Sequence, residues 1–160
     1  MKFLSGRGPG QRKNYVGTRG LTMVEILLAT LILLPLFTLG MQTFIKCIEL
    51  SDMAKNSSLA VAAVKNRVTA IENTAYDQIF GTYNNTTFTA NGLTGTGKTY
   101  IDNSNPDHLV VDISFSWREL NGRVIGEDKN LNGLLDAGED LNANGQLDSI
   151  VKVTTQIYEK

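Results

Sequence analysis

Hydrophobic and polar positions change rhythm several times along this chain. From Leu21 to Ile45 apolar residues run almost without interruption, and Glu25 is the single charge before Lys46. As far as about Thr74 only Pro35 and Gly40 disfavour a helix, so one long helix is predicted from Thr22 onward. A kink or local melting is expected near residues 31–40, where proline removes a backbone hydrogen bond. Beyond Ser51 the pattern turns amphipathic. Val61, Val64, Val68, Ile71 and Ala75 follow the 3-4 spacing of one helical face, with Lys65, Asn66, Arg67 and Glu72 opposite. This half of the helix is expected to pack on a globular head.

Between Ala75 and Pro106 the helical period disappears and the composition shifts to Gly, Thr, Asn and Tyr. Short strands are predicted at Thr86–Ala90 and Lys98–Ile101. Clear alternation marks His108–Glu119, with Leu109, Val111, Ile113, Phe115 and Trp117 on one side. Val110, Asp112, Ser114, Ser116 and Arg118 fall on the other, the pattern of an antiparallel strand with one solvated face. In Ile150–Tyr158, Val151, Val153, Thr155 and Ile157 alternate with Lys152, Thr154 and Gln156. The predicted class is α+β: about four antiparallel strands laid against the second half of one long helix.

Charge sharpens the reading of the N-terminal stretch. Lys2, Arg7, Arg12, Lys13 and Arg19 precede the apolar run, with no acid among the first 20 residues. A carboxylate near the centre of a bilayer-spanning helix costs about 2.5–3.5 kcal/mol on insertion scales, so Glu25 calls for a reason. The run Gly20-Leu21-Thr22-Met23-Val24-Glu25, followed by Ile26 to Leu34, resembles the type IV prepilin family. Leaders there end in Gly, and Glu is the fifth residue after the cut. The resemblance covers residues 15–50 and is nearest to minor pilins and the minor pseudopilins of type II secretion. Leu21 stands where the family commonly has Phe, and Met23-Val24 where it commonly has Leu-Ile.

That resemblance implies a pilin-like fold, cleavage after Gly20 by a prepilin peptidase, and methylation of the amine of Leu21. It also implies that Glu25 pairs with the freed amine of a neighbouring subunit. The partners would be other pilin or pseudopilin subunits and an inner-membrane assembly platform. The basic tract would stay cytoplasmic and the head would be periplasmic. The expected organisation is a leader at 1–20, a membrane and filament-core helix at 21–44, its amphipathic continuation at 45–75, and a β-rich head at 76–160. A secretory signal would be cut after its apolar run at small residues, and none suits after Leu39. A plain membrane anchor fits the length but gives no reason for Glu25.

Removing the five leader cations leaves ten basic residues against 16 acidic ones, a balance of −6, which argues against a nucleic-acid partner. Cys47 is the only cysteine, so no internal disulfide forms, and a small buried apolar role is expected for it.

Chemistry concentrates in residues 126–149. Asp128-Lys129-Asn130-Leu131-Asn132-Gly133-Leu134-Leu135-Asp136-Ala137-Gly138-Glu139 matches the twelve-residue calcium loop of EF-hands. Side-chain ligands fall at Asp128, Asn130, Asn132, Asp136 and Glu139, and the backbone carbonyl of Leu134 fills the seventh place. Gly133 allows the tight turn that wraps alternate side chains around one hard cation. Twelve residues on, Asp140, Asn142, Asn144, Gly145, Leu147 and Asp148 echo Asp128, Asn130, Asn132, Gly133, Leu135 and Asp136, with Gln146 at the seventh place. The twelfth place is now Val151, which cannot ligate through its side chain, so this loop needs water or a carboxylate from elsewhere. One calcium ion is expected and a second loop is available. The flanks are strand-like, which suits tandem loops spliced into a hairpin rather than a helix-opening sensor. An Asn- and Gly-rich turn that binds nothing is the plain alternative.

Gly92-Leu93-Thr94-Gly95-Thr96-Gly97-Lys98-Thr99 satisfies the P-loop pattern, and Leu109-Val110-Val111-Asp112 mimics its companion strand. A P-loop needs a helix starting at Lys98-Thr99, and Tyr100 to Pro106 cannot form one. The stretch reads as a glycine-rich hairpin. His108 has no nucleophile pattern near it, and no catalytic residues are assigned. The functional expectation is a structural filament subunit; a membrane-anchored, calcium-dependent adhesive module is the alternative.

Overall fold

The computed structural model describes residues 20–105 and 107–159, so the basic tract at 1–19 lies outside the described residues. The chain is α+β: α1 (Met23–Glu72), α2 (Tyr76–Tyr83), β1 (Thr86–Ala90), β2 (Leu93–Asp102), β3 (His108–Arg118), β4 (Val124–Ile125) and β5 (Lys152–Tyr158). It divides into two compact units, Met1–Gln42 and Thr43–Lys160.

In the first unit α1 begins with a reciprocal cap. The Glu25 amide donates to Thr22 Oγ1 at 3.3 Å, and the Thr22 amide donates to Glu25 Oε2 at 3.4 Å, the pattern of a capping box. The expected melting does not occur, because the helix continues through Pro35 and Gly40. Thr38 Oγ1 donates to the Pro35 carbonyl at 2.8 Å. Every described side chain from Gly20 to Gln42 is exposed, and the helix is long and apolar enough to cross a membrane.

The second unit holds the hydrophobic core. Ala60, Ala63, Val64 and Ile71 of α1 pack with Ile79 of α2 and with Leu109, Val111, Ile113, Phe115 and Trp117 of β3. The expected helical face is met in its middle, where Val64 and Ile71 are buried and Val68 packs against the core, but not at its ends. Val61 is 52% exposed and Ala75 is exposed, while the small Ala60 and Ala63 lie inside. Arg67 also leaves the polar face it was assigned. Its guanidinium lies 4.6 Å from the Tyr83 ring centroid and 5.2 Å from that of Phe88, and it donates to Thr86 and Thr99 hydroxyls. Cys47 is exposed rather than buried.

Helix α2 lies where no helical period was expected. Tyr76, Ile79, Phe80 and Tyr83 do follow helical spacing, but three are aromatic and two carry polar tips. In the sheet, β1 to β2 and β2 to β3 pair antiparallel, and β3 is paired on its remaining edge by both β4 and β5. Trp117 pairs with Ile125, Ser114 with Lys152, and the Phe115 amide donates to the Val151 carbonyl between them. Thus β4 and β5 lie in line along one edge, and residues 126–151 are a detour inserted into what would otherwise be one strand. The sheet has five strands, and β2 is longer than expected.

Trp117 Nε1 donates to Glu119 Oε1 and Asn56 Nδ2 donates to Glu119 Oε2, each at 2.7 Å, which ties β3 to α1 through a buried carboxylate. Gly97 has a packing cause instead of a phosphate-binding one: a Cβ there would enter the Phe88 ring. Lys98 and Thr99 lie within strand β2, not at a helix start.

Candidate metal centre

The face of β3 expected to meet solvent is covered. Ser114 and Ser116 are buried, because the inserted residues fold back over the polar side of β1, β2 and β3. Ser114 Oγ donates to the Leu147 carbonyl, Thr96 Oγ1 to the Leu131 carbonyl at 2.7 Å, and the Leu147 amide to the Tyr100 hydroxyl at 3.0 Å. Leu147 is buried beneath the loops. Gly133, at φ 74°, lies so close to Thr87 that a Cβ would overlap its methyl.

The first loop wraps around Asp128. Its Oδ1 accepts the Asn132 amide at 3.1 Å and its Oδ2 the Gly133 amide at 2.8 Å. Asn130 Oδ1 accepts the Asn132 amide at 2.9 Å, and Asn132 Oδ1 accepts the Leu134 amide at 2.7 Å. The amide groups of Asn130 and Asn132 both donate to Asp136 Oδ2, at 2.7 and 2.9 Å. Glu139 closes the ring, with Oε1 accepting from the Lys129 amide at 2.9 Å and Oε2 from the Asp136 amide at 3.2 Å.

The second loop repeats this geometry nearly bond for bond. Asp140 accepts from the Asn144 amide at 3.0 Å and the Gly145 amide at 2.8 Å. Asn142 Oδ1 accepts from the Asn144 amide at 3.1 Å, and Asn144 Oδ1 accepts from the Gln146 amide at 2.8 Å. Asn142 and Asn144 each donate to Asp148 Oδ2 at 2.7 Å. Even the backbone agrees: φ is positive at the fourth and sixth places of both loops, Leu131 and Gly133, then Ala143 and Gly145. Val151, at this loop's twelfth place, is buried in the hydrophobic core.

Sequence reading missed one acidic residue here, Glu127. Its Oε1 accepts the Leu141 amide at 3.1 Å and its Oε2 the Asp148 amide at 2.9 Å. The available signal was the dipeptide Glu127-Asp128, which recurs as Glu139-Asp140.

The donor set suits a hard cation. Carboxylate, amide and carbonyl oxygens are the ligands calcium takes, and an Asx oxygen that accepts one backbone hydrogen keeps a second lone pair. Six carboxylates and one lysine fall within residues 126–149. Burial pushes the Asp128 carboxyl up, against the amides of Gly133 and Asn132, and the nearby Glu139 charge pushes the same way. Hydrogen bonds from Asn130 and Asn132 hold Asp136 down. At Asp148 burial works upward, but the hydrogen bonds of Lys152, Asn142 and Asn144 outweigh it and its pKa is lowered. Burial lowers Lys98, which Asp128 partly offsets. Among the described residues no three His, Cys, Asp or Glu side chains converge as a metal-binding group. In each loop the acidic and amide side chains are instead linked to one another and to backbone amides.

At the other end of the chain, Gly20, Leu21 and Glu25 are exposed in the first turn of α1 and just before it. Comparison with protein-family models, curated proteins and solved structures finds no match.

Proposed function

We propose that the chain is a structural subunit, a minor pilin or pseudopilin, of a type IV pilus or type II secretion filament, with a head stabilised by calcium. Glu25 carries the reading. It is the single charge from Leu21 to Ile45, it stands in the first turn of α1, whose apolar stretch is exposed from Leu21 to Gln42, and it follows Gly20 and a basic tract. Exposed side chains such as Leu27, Leu31, Leu34 and Phe37 need an apolar surrounding. A bilayer supplies it before assembly and a bundle of like helices afterwards, because a helix satisfies its own backbone in lipid. The basic tract keeps the N-terminus cytoplasmic and the head periplasmic. Prepilin peptidase acts after Gly20, and an inner-membrane platform adds the subunit to the filament.

Calcium serves the head. Bound by Asp128, Asn130, Asn132, Asp136, Glu139 and the Leu134 carbonyl, the ion pins the detour between β4 and β5 and with it the sheet edge. The filament role is tested by shearing and purifying filaments from cells that express the chain. The expected result is the chain co-purifying with other prepilin-like subunits; its absence from filaments, with normal amounts in the membrane, contradicts the proposal.

A further inference from the structure

We infer that the turn between β3 and β4, residues 119–123, anchors the head to a phospholipid surface: Leu120 enters the headgroup layer of the bilayer that α1 crosses, and Arg118 and Arg123 bind lipid phosphates. This rests on the membrane reading of α1 and goes beyond it, because that reading asks nothing of the sheet.

Chain direction places the turn. Strand β3 runs against α1: Arg67 donates to Thr99, the partner of Ile113, whereas Asn56 donates to Glu119, just past the end of the strand. The turn therefore lies towards the N-terminal side of the helix. There Glu49, Asp52 and Met53 form one small hollow with Glu119, Leu120 and Asn121. Glu49 stands four residues, about 6 Å along the axis, past Ile45, where the apolar run ends. A bilayer carries headgroup layers of about 5–7 Å on each side of its hydrocarbon. The turn thus reaches the level at which such a helix leaves the lipid. Phe44, Ile45, Ile48, Leu50 and Met53 keep the helix surface apolar and exposed up to it.

The turn is built to hold Leu120 outward. That side chain is 84% exposed, the highest value among the large hydrophobic residues described. The backbone around it is closed by hydrogen bonds. The Gly122 amide donates to the Glu119 carbonyl at 2.9 Å, the Glu119 amide to the Arg123 carbonyl at 2.8 Å, and the Arg123 amide to Asn121 Oδ1 at 3.0 Å. Through Trp117 and Asn56 the buried Glu119 carboxylate fixes the base of the turn to α1. A turn so held loses little conformational freedom when its tip is covered.

Charge gives an independent reason. Arg118 and Arg123 flank Leu120 in the chain and are exposed, and among the described residues neither forms an ion pair with a carboxylate. Nearby acids are engaged or set back: Glu49 pairs with Lys46 at 2.6 Å, Glu119 is buried and Asp52 is half-buried. Lys55 is a further exposed cation. An apolar tip between guanidinium groups suits an interface that is apolar below and lined with phosphate oxygens above.

The full chain tests this in vesicles of phosphatidylethanolamine and phosphatidylglycerol, at low protein density. Cys47→Ser leaves one reactive position, and a polarity-sensitive fluorophore is placed at Leu120→Cys, Phe37→Cys or Asn103→Cys. Position 103 follows the far end of β2, and circular dichroism checks that each variant is folded. Lipids spin-labelled at the headgroup are expected to quench the fluorophore at 120 several-fold more than at 103, and iodide to do the reverse. At 37, lipids labelled deep in the acyl chains quench. Arg118→Gln with Arg123→Gln is expected to cut the lipid quenching at 120 several-fold; undiminished quenching overturns the part given to the arginines. Iodide reaching 120 as freely as 103, with 37 in lipid, overturns the anchor and leaves the membrane reading standing. Shielding of 120 from iodide without lipid quenching also overturns it, since a protein partner then covers the turn. A fluorophore at 37 open to iodide removes the membrane reading and the anchor together.

Discussion

Glu127 and Asp148 are joined twice across the base of the double loop. The Glu127 amide donates to the Asp148 carbonyl at 2.8 Å, and the Asp148 amide donates to Glu127 Oε2 at 2.9 Å. This clasp shuts the detour where it leaves β4 and comes back towards β5. Whatever stiffens the loops therefore stiffens the strand edge of β3.

Calcium is expected to raise the unfolding temperature of the full chain in detergent, read by the fluorescence of Trp117. Extracellular calcium modules bind near 10⁻⁴–10⁻³ M, and ligand at a hundred times Kd stabilises by about 2.7 kcal/mol. A shift on the order of 10 °C at about 10–100 mM calcium follows for a head of this size. Replacing Asp128 and Glu139 together by Ala is expected to remove most of the shift, and Asp148→Ala only part of it. No shift in the wild type would reduce the loops to turns and leave the filament reading untouched.

Gly133 and Gly145 occupy equivalent turns in different surroundings. Both have positive φ, but only at Gly133 would a Cβ meet a neighbour, the Thr87 methyl, while Gly145 faces open space. An alanine at either site adds backbone strain of roughly 1–2 kcal/mol. Gly133→Ala adds a clash with β1 and is expected to lower the urea midpoint clearly more than Gly145→Ala. Equal midpoints would mean that the first loop does not rest on the sheet as described.

Two roles of Glu25, helix cap and filament charge, can be separated. Glutamine at this position can still cap Thr22 but carries no charge, whereas Thr22→Ala removes the hydroxyl cap and keeps the charge. If the charge matters for assembly, Glu25→Gln inserts and is cleaved normally yet enters filaments poorly, and Thr22→Ala enters them well. The reverse ranking in purified filaments would make Glu25 a capping residue only.

The parts of the fold legible in the sequence were those with local causes. Leu109 to Trp117 alternate because one strand face meets the core, and β1 was visible in its Thr-rich run. The helix was legible in extent, and its buried face at Val64, Val68 and Ile71 but not at Ala60 and Ala63. Ala60 and Ala63 carry little hydrophobic weight in a periodicity count, although their small size lets α1 approach the sheet. Helix α2 was hidden because Tyr76 and Tyr83 read as polar loop residues. The covering of Ser114 and Ser116 could not be foreseen, since Leu147 lies 33 residues from Ser114. For the same reason Glu127 escaped notice: the amides its carboxylate accepts, those of Leu141 and Asp148, lie 14 and 21 residues further on. Gly20, Leu21 and Glu25 were chosen from a motif that needs no tertiary contact.

The filament reading is tested most directly by the N-terminus of the mature chain. The protein is extracted from the membrane of cells carrying a prepilin peptidase, and its first residues are determined by sequencing and intact mass. The expected product starts at Leu21 with a methylated amine, and a peptidase-deficient strain accumulates the form that retains the basic tract. A start at Met1 in peptidase-proficient cells, or at a site beyond Phe37, would contradict the assignment.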